Sequence, residues 1–248
     1  MRRYPSVYSS SYSFGPGPIS TALKALILVN VAMFLATWVI PSLTPTLGLV
    51  PVAVVEQFRV WQLVTYMFLH GGLFHILFNM LALWMFGAEL ERTWGTRYFL
   101  QFYFIVGVGA AGVTLLVSLL PFVFLQQLYY SVTIGASGAI YGLLLAYALY
   151  FPDRPIYMYF VFPIPAKYFV LIIGAISFFS SISDTRSGVA HAAHLGGLGV
   201  AYVVLKRGRV HPLAELKYRY LKWKINRVRK KFDVYSGGRS DDWGRRVH

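Results

Sequence analysis

The 248-residue sequence contains no cysteine. Disulfide scaffolds, thiolate nucleophiles and cysteine-held metal sites are therefore excluded together. Acids are scarce: nine Asp and Glu stand against 23 Lys and Arg. All charged residues together make up 13% of the chain, too few to clothe a soluble domain of this length. The long apolar runs lack the period-two alternation that marks an outer-membrane strand. The H-E-x-x-H pattern of zinc proteases is missing too. No recognised nucleic-acid motif accompanies the basic residues, so nucleic acid is not an expected partner.

What the chain does have is apolar length. Hydrophobic residues make up 57% of it, and its mean hydropathy is +0.56. A bilayer core about 30 Å thick asks for roughly 17–25 apolar residues per helix. Six runs meet or approach that length: 19–40, 70–90, 98–120, 135–151, 167–183 and 189–206. Pro41 and Pro45 close the first, Pro121 the third, and Pro152 and Pro155 the fourth. The expected fold class is thus an all-α polytopic membrane protein with six spanning helices over residues 19–206. Residues 1–18, rich in Ser, Tyr, Pro and Gly, are expected to be a disordered tail. They lack the layout of a cleaved signal peptide, so the first run is expected to be an uncleaved anchor.

Residues 207–248 form a basic tail, and 206–248 hold 14 of the 23 Lys and Arg against four acids. The positive-inside rule orients the bundle. With both termini cytoplasmic, only Arg59 and Arg186 fall outside, and the inverted topology would expose the other 21 cations. A basic tail then faces the anionic inner leaflet. Leu213, Leu216, Tyr220 and Trp223 stand at helical spacing, which fits either an amphipathic helix on that leaflet or a solvated basic helix.

In lipid a polar side chain costs free energy and needs a reason. Four stand out: Ser137 in "TIGASGAIYG", His194 in "AHAAHLGGLG", and His75 with Asn79 in "HGGLFHILFNM". Ser137 is either a small residue for close packing or a nucleophile. His75 and Asn79 lie four apart on one helix face, where they either glue two helices together or belong to a site. His194 is either a polar contact near the interface or a base. His191, one turn away, makes a two-histidine metal site conceivable, but no carboxylate or third ligand is evident at that depth, so no metal is expected.

In the six-span topology, runs two, four and six all travel from outside to inside. His75, Asn79, Ser137 and His194 each lie near the start of one of them, at a similar depth. Structural polar residues scattered at random would not converge in this way. Gly138 and Gly142 lie four apart in run four; Ala190, His194, Gly197 and Ala201 form a stripe in run six. Small residues let two backbones approach closely, bringing Ser137 opposite His194. A serine within hydrogen-bond reach of a histidine is an activated nucleophile. Acyl transfer also needs donors aimed at the developing oxyanion, for which the Ser137 N–H and the His75 and Asn79 side chains are candidates. No acid is placed to orient His194, so a dyad is expected.

"GASG" with Tyr141 four after the serine, "HGGLFHILFN", "AHLGG", "WQLVT" and "GAELERTWG" resemble the rhomboid family of intramembrane serine proteases, several spaced motifs agreeing in their order along the chain. The resemblance spans roughly residues 20–206. It implies a six-helix core with a water-filled cavity, Ser137 as nucleophile and His194 as general base. His75 and Asn79 would match oxyanion-hole positions, and Tyr141 the aromatic that packs on the catalytic histidine. Gly135, Gly138 and His70 would match supporting positions, His70 in the cavity region. Glu91 would match a structural acid, and 41–69 a first external loop lying partly in the membrane. Many members carry Trp-Arg where this chain has Trp61-Gln62, which leaves open what holds that loop. The implied substrates are transmembrane segments of other proteins, cut without a cofactor.

Two other classes compete. A non-proteolytic relative, a membrane binding or trafficking module, typically lacks the serine or histidine retained here. A transporter or channel predicts an internal repeat with broken helices or pore-lining charges, and neither is evident. With no targeting presequence, the expected location is a prokaryotic plasma membrane.

Overall fold

A computed structural model describes residues 18–122, 125–158, 162–183 and 188–209. The expected tail at 1–18 (save its last residue) and the basic tail beyond Arg209, with its candidate helix at Leu213–Trp223, lie outside the described residues. The body that holds the site closes at Leu205, and residues from Lys206 onward group as a separate unit.

Each of the six apolar runs is a helix. They are α1 (Thr21–Val39), α5 (Leu73–Trp94), α6 (Thr96–Ser118), α8 (Ser137–Tyr150), α9 (Ala166–Ser183) and α10 (Gly188–Arg209). Between them come α2 (Leu43–Leu47), α3 (Pro51–Glu56), α4 (Gln62–Thr65) with a 3-10 turn at Tyr66–Phe68, and α7 (Gln126–Tyr130). Among the described residues three helices, α1, α5 and α6, are long and apolar enough to cross a membrane by length and composition. Helix α5 starts three residues later than the second run, because Gly71 and Gly72 form a bend before it.

Helix α8 sits at the centre. Gly138, Ala139, Ile140, Gly142, Leu143, Leu144, Ala146 and Ala148 are all buried, so it is apolar on every side, as a core helix must be. It packs on α5, α6 and α9, and Leu83, Phe99, Phe102, Val106 and Leu143 are fully enclosed around it. The outer helices show the reverse. Leu28, Leu35 and Trp38 on α1, and Leu171 and Phe179 on α9, stay exposed, which suits lipid and not water.

One feature departs from the all-α expectation. Residues Pro155–Met158 (β1) and Phe162–Pro165 (β2) pair antiparallel, with Ile156 opposite Ile164. Pro155, Pro163 and Pro165 cannot donate to a ladder, and such residues are tolerated in a strand only at its edges and ends. A two-stranded ribbon has nothing but edges. At its base Arg154 and Arg92 both reach Glu89, at 2.8 and 2.6 Å. Glu89 holds the Arg154 pKa above its ordinary value, so this guanidinium stays charged.

Two buried polar residues fasten the bundle. Glu91 accepts from Ser20 Oγ at 2.5 Å and from Thr96 Oγ at 2.7 Å, tying the starts of α1 and α6 to the end of α5. Gln62 is fully buried. Its Oε1 accepts from the Val50 N–H at 3.0 Å, and its Nε2 lies 3.3 and 3.2 Å from the carbonyls of Pro45 and Thr46. This answers the question left by Trp61-Gln62. A neutral amide offers both a donor and an acceptor, so it can bond a loop N–H that an arginine, which only donates, could not. Gln62→Leu is therefore expected to take the partner of the Val50 N–H and of the Pro45 carbonyl away, while the Thr46 carbonyl keeps its bond from the Trp61 indole at 3.0 Å, and to lower stability by about 1–3 kcal/mol. Thermal unfolding in detergent would measure this, and an unchanged midpoint would contradict it.

Candidate active site

The segment before α8 is shaped by one residue. Gly135 has φ +121°, a backbone conformation that side chains rarely adopt. A β-carbon placed there would also stand 2.8 Å from His75 Nε2. The glycine thus admits both the turn and the imidazole. Its N–H donates to the Tyr66 carbonyl at 2.9 Å, and the Tyr66 hydroxyl donates to the Gly107 carbonyl at 2.7 Å. The turn is moored to the first loop and, through it, to α6. A bridge between Leu49 and Thr133 adds a second mooring.

Ser137 is the first residue of α8. The first N–H groups of a helix have no partner within it, and they carry the positive end of the helix dipole. A negative charge growing beside Ser137 would meet that end.

Helix α10 brings His194 opposite. A β-carbon on Gly197 would run into the carbonyl oxygen of Gly138, and one on Gly142 would lie 3.1 Å from the Ala201 methyl. The two backbones touch where the small residues coincide. One turn away along α10, His194 Nε2 lies 2.8 Å from Ser137 Oγ. The serine is the donor when this nitrogen is unprotonated; the neutral ring then carries its proton on Nδ1. That Nδ1 is buried with no hydrogen-bond partner among the described residues.

The ring is held by its face. Tyr141, one turn after Ser137, stacks on His194 with centroids 4.1 Å apart and planes 7° from parallel. On α9, Ser177 donates to the Tyr141 hydroxyl at 3.0 Å.

His75 is placed beside the Gly135 turn, and the Gly71 N–H donates to its Nδ1 at 3.3 Å. Asn79 is buried and spends one amide hydrogen on the His75 carbonyl at 2.7 Å, leaving the other for a ligand. His70 is buried edge-on to His75, with centroids 5.0 Å apart. His191 meets His194 edge-on at 5.8 Å, and among the described residues no cluster of three His, Asp or Glu suits a metal ion. Ser137, His194, Tyr141, Gly135, Gly138, His75, Asn79 and His70 are thus brought into one neighbourhood, whereas Glu91 lies near the far end of α5. Ser177 and Tyr66 were not singled out. Nothing in their local sequence separates them from ordinary helix and loop residues.

Residues 57–207 match the rhomboid domain family, more than half of the chain. The chain belongs to the rhomboid family. This rhomboid is an integral membrane protein. It is similar to rhomboid protease GluP of Bacillus subtilis, with 33% identity over 146 residues that are 59% of this chain and 25% of the relative. It is 30% identical to rhomboid protease AarA of Providencia stuartii over 159 residues, 58% of this chain and 57% of the relative. A mitochondrial relative, rhomboid protein 1 of Saccharomyces cerevisiae, shares 32% over 138 residues, 54% of this chain and 38% of its own length. The rhomboid described here spans less than two thirds of each.

The close contact of α8 and α10 yields a test. Gly197→Ala is expected to force the helices apart and to cost about 1–3 kcal/mol. Gly112→Ala, on α6 with nothing within 4 Å of the added carbon, should be neutral or slightly stabilising. Thermal midpoints of the two variants side by side would measure this; equal midpoints would mean that the Gly138–Gly197 contact can relax at no cost.

Proposed function

We propose that this rhomboid is an intramembrane serine endopeptidase that hydrolyses peptide bonds in or near transmembrane segments of other proteins. The observation that carries the reading is the 2.8 Å approach of His194 Nε2 to Ser137 Oγ, under a stacked tyrosine and at a helix N-terminus.

In the proposed reaction Ser137 Oγ attacks the substrate carbonyl carbon while its proton passes to His194 Nε2. The carbonyl π electrons move onto oxygen. That oxyanion is stabilised by the Ser137 N–H, His75 and Asn79. The C–N bond then breaks, and the imidazolium returns its proton to the departing amine. An ester joins Ser137 to the other fragment. Water, deprotonated by His194, attacks this ester, and the serine leaves with the proton. The chemistry uses the chain's own side chains, a backbone N–H and water. Water must therefore reach a site inside the bilayer, which requires a wet cavity, and a substrate helix must unwind to expose its carbonyl.

The proposal extends to topology: six spans, with both termini cytoplasmic, residues 1–18 and 207–248 as tails around a core at 19–206, and the basic tail near anionic lipid. The membrane is proposed to be a prokaryotic plasma membrane. Helix α8 supports a buried site. Its 14 residues span about 21 Å, against a hydrocarbon core of about 30 Å. With its far end at the inner face, Ser137 lies roughly 10 Å below the outer one.

Two experiments test this. A fluorophosphonate added to the wild type in liposomes should leave one adduct by intact mass. Ser137→Ala and His194→Ala should leave none and should not cleave a membrane substrate, while keeping the wild-type thermal midpoint. Cleavage by Ser137→Ala would sink the reading, and a folded wild type without an adduct would favour the non-proteolytic binding module. Topology is read by thiol labelling, since any introduced cysteine is the chain's sole thiol. An impermeant maleimide on intact cells should label Gln127→Cys and reach Asp153→Cys only after lysis; the reverse pattern would invert the bundle.

A further inference from the structure

We infer that Ser177 is a positioning residue for His194, acting through Tyr141, and that it links the setting of the general base to the position of α9. This inference rests on the proposed dyad.

A hydroxyl inside an apolar helix has an easy partner, the carbonyl three or four residues back on its own chain. Other buried or half-buried polar side chains in the spanning helices take it. Thr37 donates to the Phe34 carbonyl, Thr114 to Ala110, Ser118 to Leu115, and Asn30 to Leu26. Ser177 does not. It is 1% exposed, and its proton crosses from α9 to the Tyr141 hydroxyl on α8, at 3.0 Å. A bond made in preference to the local one fixes the phenol oxygen relative to α9.

That matters because of how the base is held. Among the described residues no carboxylate stands behind His194, and its Nδ1 is buried and unbonded. The stack with Tyr141, 4.1 Å apart and 7° from parallel, takes over the orienting role. The electron-rich face of a tyrosine also favours the imidazolium that forms when His194 takes the proton. A tyrosine anchored only at its Cα could swing about its side-chain torsions. Anchored at both ends, on α8 by its backbone and on α9 by Ser177, it presents its face at one angle. Three helices thus converge on one ring: α10 carries it, α8 supplies the platform, and α9 pins the platform. A shift of α9 relative to α8 would loosen the pin and detune the base.

The test uses full-length protein in liposomes and two readouts: the rate of fluorophosphonate labelling at Ser137, and kcat and KM for a membrane substrate. Ser177→Ala should slow labelling and lower kcat about five- to tenfold, the loss expected for one hydrogen bond. KM should stay near wild type, because no substrate contact changes, and the thermal midpoint should fall by no more than the loss of one hydrogen bond accounts for. Ser177→Thr, which keeps the hydroxyl, should restore most of the rate. Tyr141→Phe should lose a similar factor, and the double variant Ser177→Ala/Tyr141→Phe should be no slower than either single. Labelling of Ser177→Ala at the wild-type rate would overturn the inference while leaving the dyad intact. So would multiplicative losses in the double variant, or a fall in midpoint with no fall in rate. A wild type that takes no label would instead overturn the protease reading itself, and this inference with it.

Discussion

Where Gly138 meets Gly197, two helix backbones lie against each other with no side chain between them. Membranes offer helices little hydrophobic reason to associate, so packing at this range must supply the attraction. The contact also sets the geometry of everything nearby. Ser137 precedes Gly138 by one residue, and His194 precedes Gly197 by three. With the backbones this close, their side chains meet at hydrogen-bond distance. Spread apart by even a methyl group, they would not.

The remaining polar residues are arranged around that contact in two ways. Some act as fasteners far from it. Glu91 gathers three helix ends, and Gln62 stitches the first loop from within. Each replaces water lost to burial with several bonds, which keeps a buried polar group from being a net liability. Others shape the site directly. Gly135 lets His75 approach and is itself tied to Tyr66. The site is therefore framed by the loop that precedes α5 as much as by the helices that carry its central pair.

Much of this was legible in the sequence, for a physical reason. A polar side chain in an apolar run is expensive, so Ser137, His194, His75 and Asn79 announced themselves against their background, and the six runs appear as six helices. The small residues of α8 and α10 were readable as a contact because both stripes have helical spacing. Other features needed three dimensions. Ser177 is an unremarked serine in an apolar run, and only its choice of a partner on another helix distinguishes it. The three bonds of Gln62 connect to residues 12 to 17 positions away, beyond any local pattern. The paired strands at Pro155–Met158 and Phe162–Pro165 were hidden by their prolines, which argue against strands everywhere except at edges.

The shortness of α8 makes it a ruler. On the proposed topology its far end rests at one face of the membrane, and its fixed length carries Ser137 toward the other. The depth of the nucleophile is then measured from the inner leaflet, not from the outer surface. A thicker bilayer would sink Ser137 further from the water on the far side, and a thinner one would lift it. The bond reached along a substrate helix becomes a matter of height as well as of residue type, so that lipid composition could alter where a substrate is cut with no change in the protein.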